Sequence, residues 1–370
     1  MRATRAFVYL DRFRENIRAV AGWVGKRKIC VPVKADAYGH GALPLARAAL
    51  EAGAASLAVA LVQEGEELRR GGIKAPILLF SQCSDEELDD VVLNNLSPFV
   101  SGTAYIEALA KAAGAQGKEL QVHLKVDTGM GRAGCRPGEA ASLAGCILSH
   151  VNLRLAGVAT HLAVSDSLAP ANMTYTRDQL RRFDGAVRAI RAAGIEPGIL
   201  HAANTGGVLY HPDSWLDMVR PGLLLYGCGP RSSGPPLRSL MELRSKVAAV
   251  KPIRKGESVS YGRTWIAAED TLVALIPAGY ADGLRRDLSN NWLVGIRGRA
   301  YPIVGRICMD QCIADLGKTG AGVIPGDEVL LFGENPGFSG DAVLMAEKLG
   351  TIPHEITCGI SKRVPRIYSD

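Results

Sequence analysis

The sequence predicts an α/β protein, an N-terminal (β/α)8 barrel of the TIM type followed by a smaller, mainly β domain. Three observations predict it. Between residues 28 and 227, short Val/Ile/Leu-rich runs alternate with longer charged segments of helical spacing. Such strands, buried on both faces between helices, imply a parallel sheet. The apolar runs number eight over some two hundred residues, which fits a closed barrel better than an open sheet. Past residue 238 the rhythm gives way to β-type runs punctuated by Gly and Pro.

In chain order, the runs lie near 28–33, 56–61, 76–80, 97–100, 121–127, 154–161, 198–203 and 218–225. Segments such as QEGEELRRGG at 63–72 and TRDQLRRFDGAVRAIRAAG at 176–194 carry the helical period between them. The Pro/Gly/Ser-rich stretch CGPRSSGPPLR at 228–238 reads as a linker. The barrel domain is therefore placed at 1–232 and the β-domain at 233–370, with residues 1–10 as an added strand of the latter. KVAAV, TLVALIPAGY, WLVGIRGRAYPIVGRI and EVLLFG are the second domain's strand-forming runs, and only 340–349 reads there as a clear helix.

Composition excludes several classes. With 370 residues, 47% hydrophobic and 22% charged, the chain has a soluble globular composition and ample material for a core. Its net charge of +6 is spread, with no run of five basic residues, so neither nucleic acid nor a membrane surface is an expected partner. The opening MRATRAFVYLDRF has too short an apolar stretch for a signal peptide. No apolar run approaches the ~20 residues that span a bilayer. Eight cysteines are scattered singly, which suits reduced core thiols and a cytoplasmic location. Cys308 and Cys312 have helical spacing, but no second Cys/His pair completes a zinc set, so no metal is expected.

Chemistry-bearing residues fall at the predicted strand ends, where a barrel places its active site. VPVKADAYGHG at 31–41 ends an apolar strand on Lys34 and continues into a Gly-containing loop with Tyr38 and His40. A partly desolvated lysine there is suited to a Schiff base; the other reading is a strand-end lysine facing solvent. In HLKVDTGMGRAG at 123–134, Lys125 lies inside a strand and Arg132 follows a Gly-rich turn. Arg132 has the planar fork that grips a carboxylate, or belongs to a structural ion pair. GVATHLA at 157–163 places His161 at a strand end, and HAANTGG at 201–207 places Asn204 and Thr205 before a helix start suited to phosphate. MVRPGLLLYG at 218–227 puts Arg220 on the eighth strand, ahead of Gly222 and Leu223. In the second part, VSYGRTW holds Tyr261, PAGYADG holds Tyr280, and GRICMDQC holds Met309 and Asp310. Nothing intrinsic marks these last segments as catalytic.

Together the motifs VKADAYGHG, LKVDTGMGR, ATHLA, AANTGG, VRPGLLLYG, SYGRTW, GYADG, GRICMD and RVPRIY resemble alanine racemases in order and approximate spacing, over nearly the whole chain. The resemblance implies a fold-type III pyridoxal-phosphate enzyme that interconverts L- and D-alanine and supplies D-alanine for peptidoglycan. It implies a homodimer in which the β-domain of one subunit completes the site of the other. Lys34 is then the cofactor lysine and the base on the D side; Tyr261, from the partner subunit, is the base on the L side. Two opposed bases are what racemisation of a planar carbanion requires. By the same resemblance Arg220 contacts the pyridine nitrogen and His161 links Tyr261 to Arg220. Tyr38, Asn204, Thr205, Gly222 and Leu223 hold the cofactor, while Arg132, Met309 and Tyr280 receive the substrate. Lys125 takes the place of a lysine that is carbamylated in many members.

Two positions depart from the family pattern. Thr205 replaces the usual serine and keeps its hydroxyl. Lys362, in GISKRVPRIY, stands where several members have a phosphate-contacting tyrosine, and either pairs with the phosphate or turns to solvent. The rival readings fare worse. A single-barrel pyridoxal-phosphate carrier would not need SYGRTW or GRICMD. A basic amino-acid decarboxylase would show a Gly-rich phosphate loop and a Cys-Asp segment. A carbamyl-lysine metallohydrolase would want an early His-x-His pair, which none of the seven histidines forms. Within the family, alanine is the expected substrate and serine the alternative.

Overall fold

A computed structural model describes residues 2–229, 234 and 237–370. Of the predicted linker at 228–238, residues 230–233 and 235–236 lie outside the described residues. The chain divides into two units: Phe13–Ala37 with Ala42–Leu237, and the remainder, comprising the residues up to Arg12, Tyr38–Gly41 and Arg238–Asp370.

After β1 (Arg5–Tyr9), which belongs to the second unit, eight strands build the first. They are β2 (Lys28–Pro32), β3 (Ser56–Val59), β4 (Ile77–Leu79), β5 (Ser97–Val100), β6 (Leu120–Lys125), β7 (Leu153–Ala159), β8 (Ile199–His201) and β9 (Met218–Val219). Each of the eight predicted runs contains one of these strands, and every pairing is parallel, in the order β8-β7-β6-β5-β4-β3-β2-β9. The Asp217 N–H donates to the Leu200 carbonyl at 3.1 Å and the Arg220 N–H to the Ala203 carbonyl at 2.8 Å. These bonds bring the two edge strands together and nearly close the barrel. Cys30, Ala58, Leu78, Phe99, Ala159 and Met218 form its buried interior cluster, with Phe80 and Ile199 against it.

The surrounding helices bury one stripe each. Leu10–Val24 buries Phe13, Ile17, Val20 and Val24, a spacing of four, three and four that keeps one face inward. The last barrel strand is shorter than predicted: it stops at Val219, and Arg220 follows it rather than lying on it. Pro221 has no N–H for the ladder. The chain instead turns through Gly222–Cys228, pinned by Asn16 Nδ2 donating to the Leu225 carbonyl and Tyr226 Oη donating to the Pro32 carbonyl.

The second unit is mainly β. Its larger sheet joins β1 to β10 (Met241–Lys246), β13 (Leu293–Ile296), β14 (Arg299–Pro302), β16 (Glu328–Asn335), β17 (Phe338–Gly340) and β18 (Arg366–Ser369). A smaller sheet pairs β11 (Ala249–Ile253), β12 (Thr271–Ile276) and β15 (Cys312–Gly317). Pairing is antiparallel except between β1 and β18. Two corrections arise here. Besides Ala342–Leu349 there is a second helix, Pro353–Cys358, too short to show a hydrophobic period but marked by Pro at its first position. Cys308 and Cys312 are not on a helix: Cys308 lies in the irregular segment after β14 and Cys312 opens β15. No helix among the described residues is long and apolar enough to cross a membrane.

Candidate active site

Lys34 opens the segment that follows β2, and the predicted Gly-containing loop is there a left-handed helical turn over Lys34–Gly39. Ala35, Asp36, Ala37 and Tyr38 have φ of 52°, 52°, 51° and 53°. L-residues avoid this region because Cβ crowds the following carbonyl, so local sequence gave no sign of it. Hydrogen bonds brace the turn: Ala37 N–H to the Val33 carbonyl, Ala42 N–H to Asp36 Oδ1 at 2.7 Å, and Ala35 N–H to Glu64 Oε1 at 2.6 Å. At its far end, within the second unit, the buried Tyr38 ring lies 4.5 Å from that of His354.

Lys125 ends β6 and its ammonium position is buried, with no hydrogen-bond partner among the described residues. Burial, then the nearby Arg220, push its pKa down to about 7. The following turn is organised by Asp127, whose carboxylate accepts the amides of Gly129, Met130 and Gly131. Burial pushes the Asp127 carboxyl up, but these bonds outweigh it and hold it below its ordinary range. Gly134 has φ +129°, and a Cβ there would lie 2.5 Å from the Asp127 nitrogen, so only glycine closes this turn. Arg132 is presented exposed at its tip.

The buried Arg220 guanidinium donates to His201 Nδ1 at 2.8 Å and to the carbonyls of Thr160 and Ala202. Burial lowers its pKa to about 10, which leaves it cationic at neutral pH. Guanidinium only donates, so His201 must accept at Nδ1 and carry its proton on Nε2. That N–H then donates to His123 Nδ1, 2.9 Å away. Burial and Arg220 depress both imidazoles, His123 to about 4, so the pair is neutral. His161 is likewise held neutral, by burial and by the charges of Arg220, Lys125, Arg132 and Lys34. Lys34 follows β2 and His161 follows β7 in an all-parallel sheet, so both lie at the same end of the barrel.

Thr205 Oγ1 accepts the Leu224 N–H at 3.3 Å, which joins the Thr205 turn to the turn containing Gly222 and Leu223. The Asn204 side chain is committed to local structure: it caps helix Thr205–Tyr210 by accepting from the Gly207 amide, accepts from Ser165 and donates to the Leu162 carbonyl. Lys34, Arg132, His161, Asn204, Thr205, Arg220, Gly222 and Leu223 thus all lie in the segments that immediately follow barrel strands, Lys34 and Thr205 each opening a helical turn. Sequence reasoning passed over His123, His201 and Glu64. The histidines did leave a signal, since His123 shares a strand face with Lys125 by alternation.

In the second unit, Tyr261, Tyr280, Met309 and Lys362 lie on four loops that are tied to one another. Ser260 Oγ donates to the Arg306 carbonyl at 2.5 Å. The amides of Tyr280 and Ala281 donate to the carbonyls of Cys308 and Met309, both at 3.0 Å. A Cβ on Gly279 would meet the Cys308 and Met309 carbonyl oxygens at 2.3 and 2.4 Å, so the two loops approach only across glycine. The fully buried Asp282 receives Arg363 Nε at 2.6 Å and pairs with Arg2, and its own carbonyl accepts the Ser361 amide beside Lys362. Tyr261 is 71% exposed, and its hydroxyl makes no hydrogen bond among the described residues. Tyr280, Met309 and Lys362 are exposed as well. No group of three His, Cys, Asp or Glu side chains placed to hold a metal ion occurs among the described residues.

A barrel with basic and hydroxyl side chains gathered in the loops after its strands, continued in one chain by a β-unit, is the plan of a two-domain barrel enzyme. Residues 8–230 match the alanine racemase N-terminal domain family and residues 240–368 the alanine racemase C-terminal domain family. The chain belongs to the alanine racemase family. It is 47% identical to the alanine racemase of Treponema denticola, with 100% of this chain and 99% of that one covered, and 44% identical to that of Treponema pallidum, with both covered completely. Among solved structures, alanine racemase from the D-cycloserine producer Streptomyces lavendulae superposes with a TM-score of 0.94 at 35% identity, covering 100% of this chain and 98% of that one. The Bacillus anthracis alanine racemase with bound L-Ala-P superposes at 0.92 and 32% identity, covering 100% and 96%.

Proposed function

We propose that this chain interconverts L- and D-alanine with pyridoxal 5'-phosphate as cofactor, as a homodimer in which each subunit completes the other's site. The observation that carries the reading is Lys34, braced at a strand end of the barrel whose neighbouring loops present Arg220 and Thr205. The residues fit the cofactor. Thr205 Oγ1 already accepts a backbone amide, so its own proton is left to donate to a phosphate oxygen, as are the amides of the Gly222–Leu223 turn. The cationic Arg220 keeps N–H groups beyond the three bonds that fix it, and a group that gives up its proton reluctantly suits an unprotonated ring nitrogen. Tyr38 completes the phosphate side, and Lys362 either pairs with the phosphate or turns to solvent; unchanged cofactor affinity in Lys362→Met would rule out the pairing.

Held in this site, pyridoxal phosphate would supply an electron sink for the substrate once the substrate amine had replaced that of Lys34, which acidifies the Cα proton and leaves the lysine amine free. The chain's own task is to handle that proton on both faces. The Lys34 amine takes or returns it on the D face, and the Tyr261 hydroxyl of the partner subunit does so on the L face. An exposed, uncommitted Tyr261 on a loop laced to Tyr280 and Met309 supports delivery to another chain. Arg132 with the Met309 backbone receives the carboxylate, Tyr280 borders the substrate, and His161 stands between Tyr261 and Arg220. The D-alanine formed would serve peptidoglycan synthesis in the cytoplasm.

Lys125 is read as the support of Arg132. A buried amine with a pKa near 7 is substantially neutral at physiological pH, the form that adds carbon dioxide to become a carbamate. Its titration gives a signed expectation. The folded value of about 7 lies below the ordinary 10.5, so between these pH values the unfolded chain binds more protons and stability rises with pH. Below pH 7 the penalty is present in full. In carbon dioxide-free buffer, Lys125→Met is therefore expected to stabilise the protein by about 5 kcal/mol at pH 6 and to flatten the rise above pH 7. Urea unfolding midpoints across this range check it, and an unchanged slope would contradict it.

The activity itself is tested by circular dichroism of L-alanine and, separately, L-serine with purified protein and pyridoxal phosphate. Alanine is expected to lose its signal the faster. Retention of both signals while the cofactor is bound would refute the reading.

A further inference from the structure

The turn after Lys34 holds four consecutive non-glycine residues in the left-handed region, and such backbone persists only where its surroundings over-determine it. One carboxylate does much of this. Glu64 Oε1 accepts the Ala35 N–H at 2.6 Å, while Oε2 accepts the N–H groups of Ala60 at 2.8 Å and Leu61 at 3.1 Å. The half-buried Glu64 side chain thereby ties the loop after β2 to the loop after β3.

We propose that Glu64 is a positioning residue for Lys34: its carboxylate clamps the Lys34–Ala35 peptide into the left-handed turn and so aims the lysine amine. This rests on the reading that Lys34 holds the cofactor. Capping explains only half of the geometry. Glu64 is the third residue of helix Val62–Arg70, and Oε2 closes a capping box on Leu61. A cap needs nothing from Oε1, yet that oxygen holds an amide 29 residues away in sequence. A carboxylate accepts on both oxygens, whereas a carboxamide accepts on one and donates from the other. Glutamine at this position has one accepting oxygen, which the two nearby cap amides of Ala60 and Leu61 claim, and so turns an N–H donor toward the Ala35 amide and loses that hold.

The test uses the full chain with and without pyridoxal phosphate, comparing wild type with Glu64→Gln, Glu64→Ala and Lys34→Ala. Hydrogen–deuterium exchange is read over residues 35–38 and over the helix Val62–Arg70, and cofactor affinity from the visible absorbance of the lysine-bound form. Glu64→Gln is expected to speed exchange at 35–38 while the helix stays protected, and to weaken cofactor affinity about tenfold or more, the effect of losing one charge-assisted hydrogen bond. Glu64→Ala is expected to expose both segments and to weaken affinity at least as much. Wild-type exchange at 35–38 in both Glu64 variants, or loss of protection confined to the helix, would reduce Glu64 to a cap and overturn the proposal. So would wild-type cofactor affinity in both. Lys34→Ala separates the two ideas: if it still develops the visible absorbance, the cofactor reading fails, whereas the exchange result at 35–38 reports on the clamp without any cofactor.

Discussion

Tyr261→Phe is expected to lower racemisation in both directions by about 10²–10⁴-fold, the usual contribution of a positioned acid or base. The loss should be asymmetric when α-proton exchange is followed instead. Exchange of L-alanine in deuterated water should nearly vanish, because in the proposed two-base site the Tyr261 hydroxyl is the base on that face. D-alanine should still exchange, because Lys34 can remove the proton and return a deuteron on the same face. Cofactor attachment and stability should be unaffected: Tyr261 is largely exposed and its hydroxyl makes no hydrogen bond among the described residues, so the substitution should cost less than about 0.5 kcal/mol. Undiminished exchange from L-alanine would remove Tyr261 from the chemistry.

Lys34→Ala is expected to be the more severe change. It removes the proposed base on the D face and the proposed covalent anchor together, so racemisation should fall by more than about 10³-fold in both directions. Exchange from both enantiomers should be lost, along with the visible absorbance of the lysine-bound cofactor. The barrel should remain folded, since its interior cluster is built from Cys30, Ala58, Leu78, Phe99, Ala159 and Met218 and does not include Lys34. A Lys34→Ala protein that still exchanges D-alanine would place the base elsewhere.

Much of the barrel was legible because buried parallel strands read as continuous apolar runs. Every run predicted between residues 28 and 225 contains a strand, and the one clear misjudgement within the barrel, the last run at 218–225, came from letting a strand continue through Pro221. The left-handed turn was not legible. Ala-Asp-Ala-Tyr has no preference for positive φ, and the conformation is held by Glu64 and Val33, contacts that local sequence does not display. The short helix Pro353–Cys358 was missed because six residues carry no hydrophobic period. Candidate residues of the barrel could be argued from position, as charged or hydroxyl side chains at strand ends. His123 and His201 escaped that argument because they act behind the surface, fixing Arg220 through a chain of protons inside the barrel. Tyr261, Tyr280 and Met309 had no physical signal of their own: each is an exposed residue on a turn, and its role rests on family resemblance.

The central claim is that Lys34 of one chain and Tyr261 of another form one two-base site. Mixing the inactive Lys34→Ala and Tyr261→Phe proteins under conditions that exchange subunits tests it directly. A hybrid dimer would hold one site with both bases intact and one with neither, so random mixing should restore about a quarter of the wild-type rate. A mixture as inactive as its two components, although mass analysis shows hybrid dimers present, would contradict a site shared between subunits.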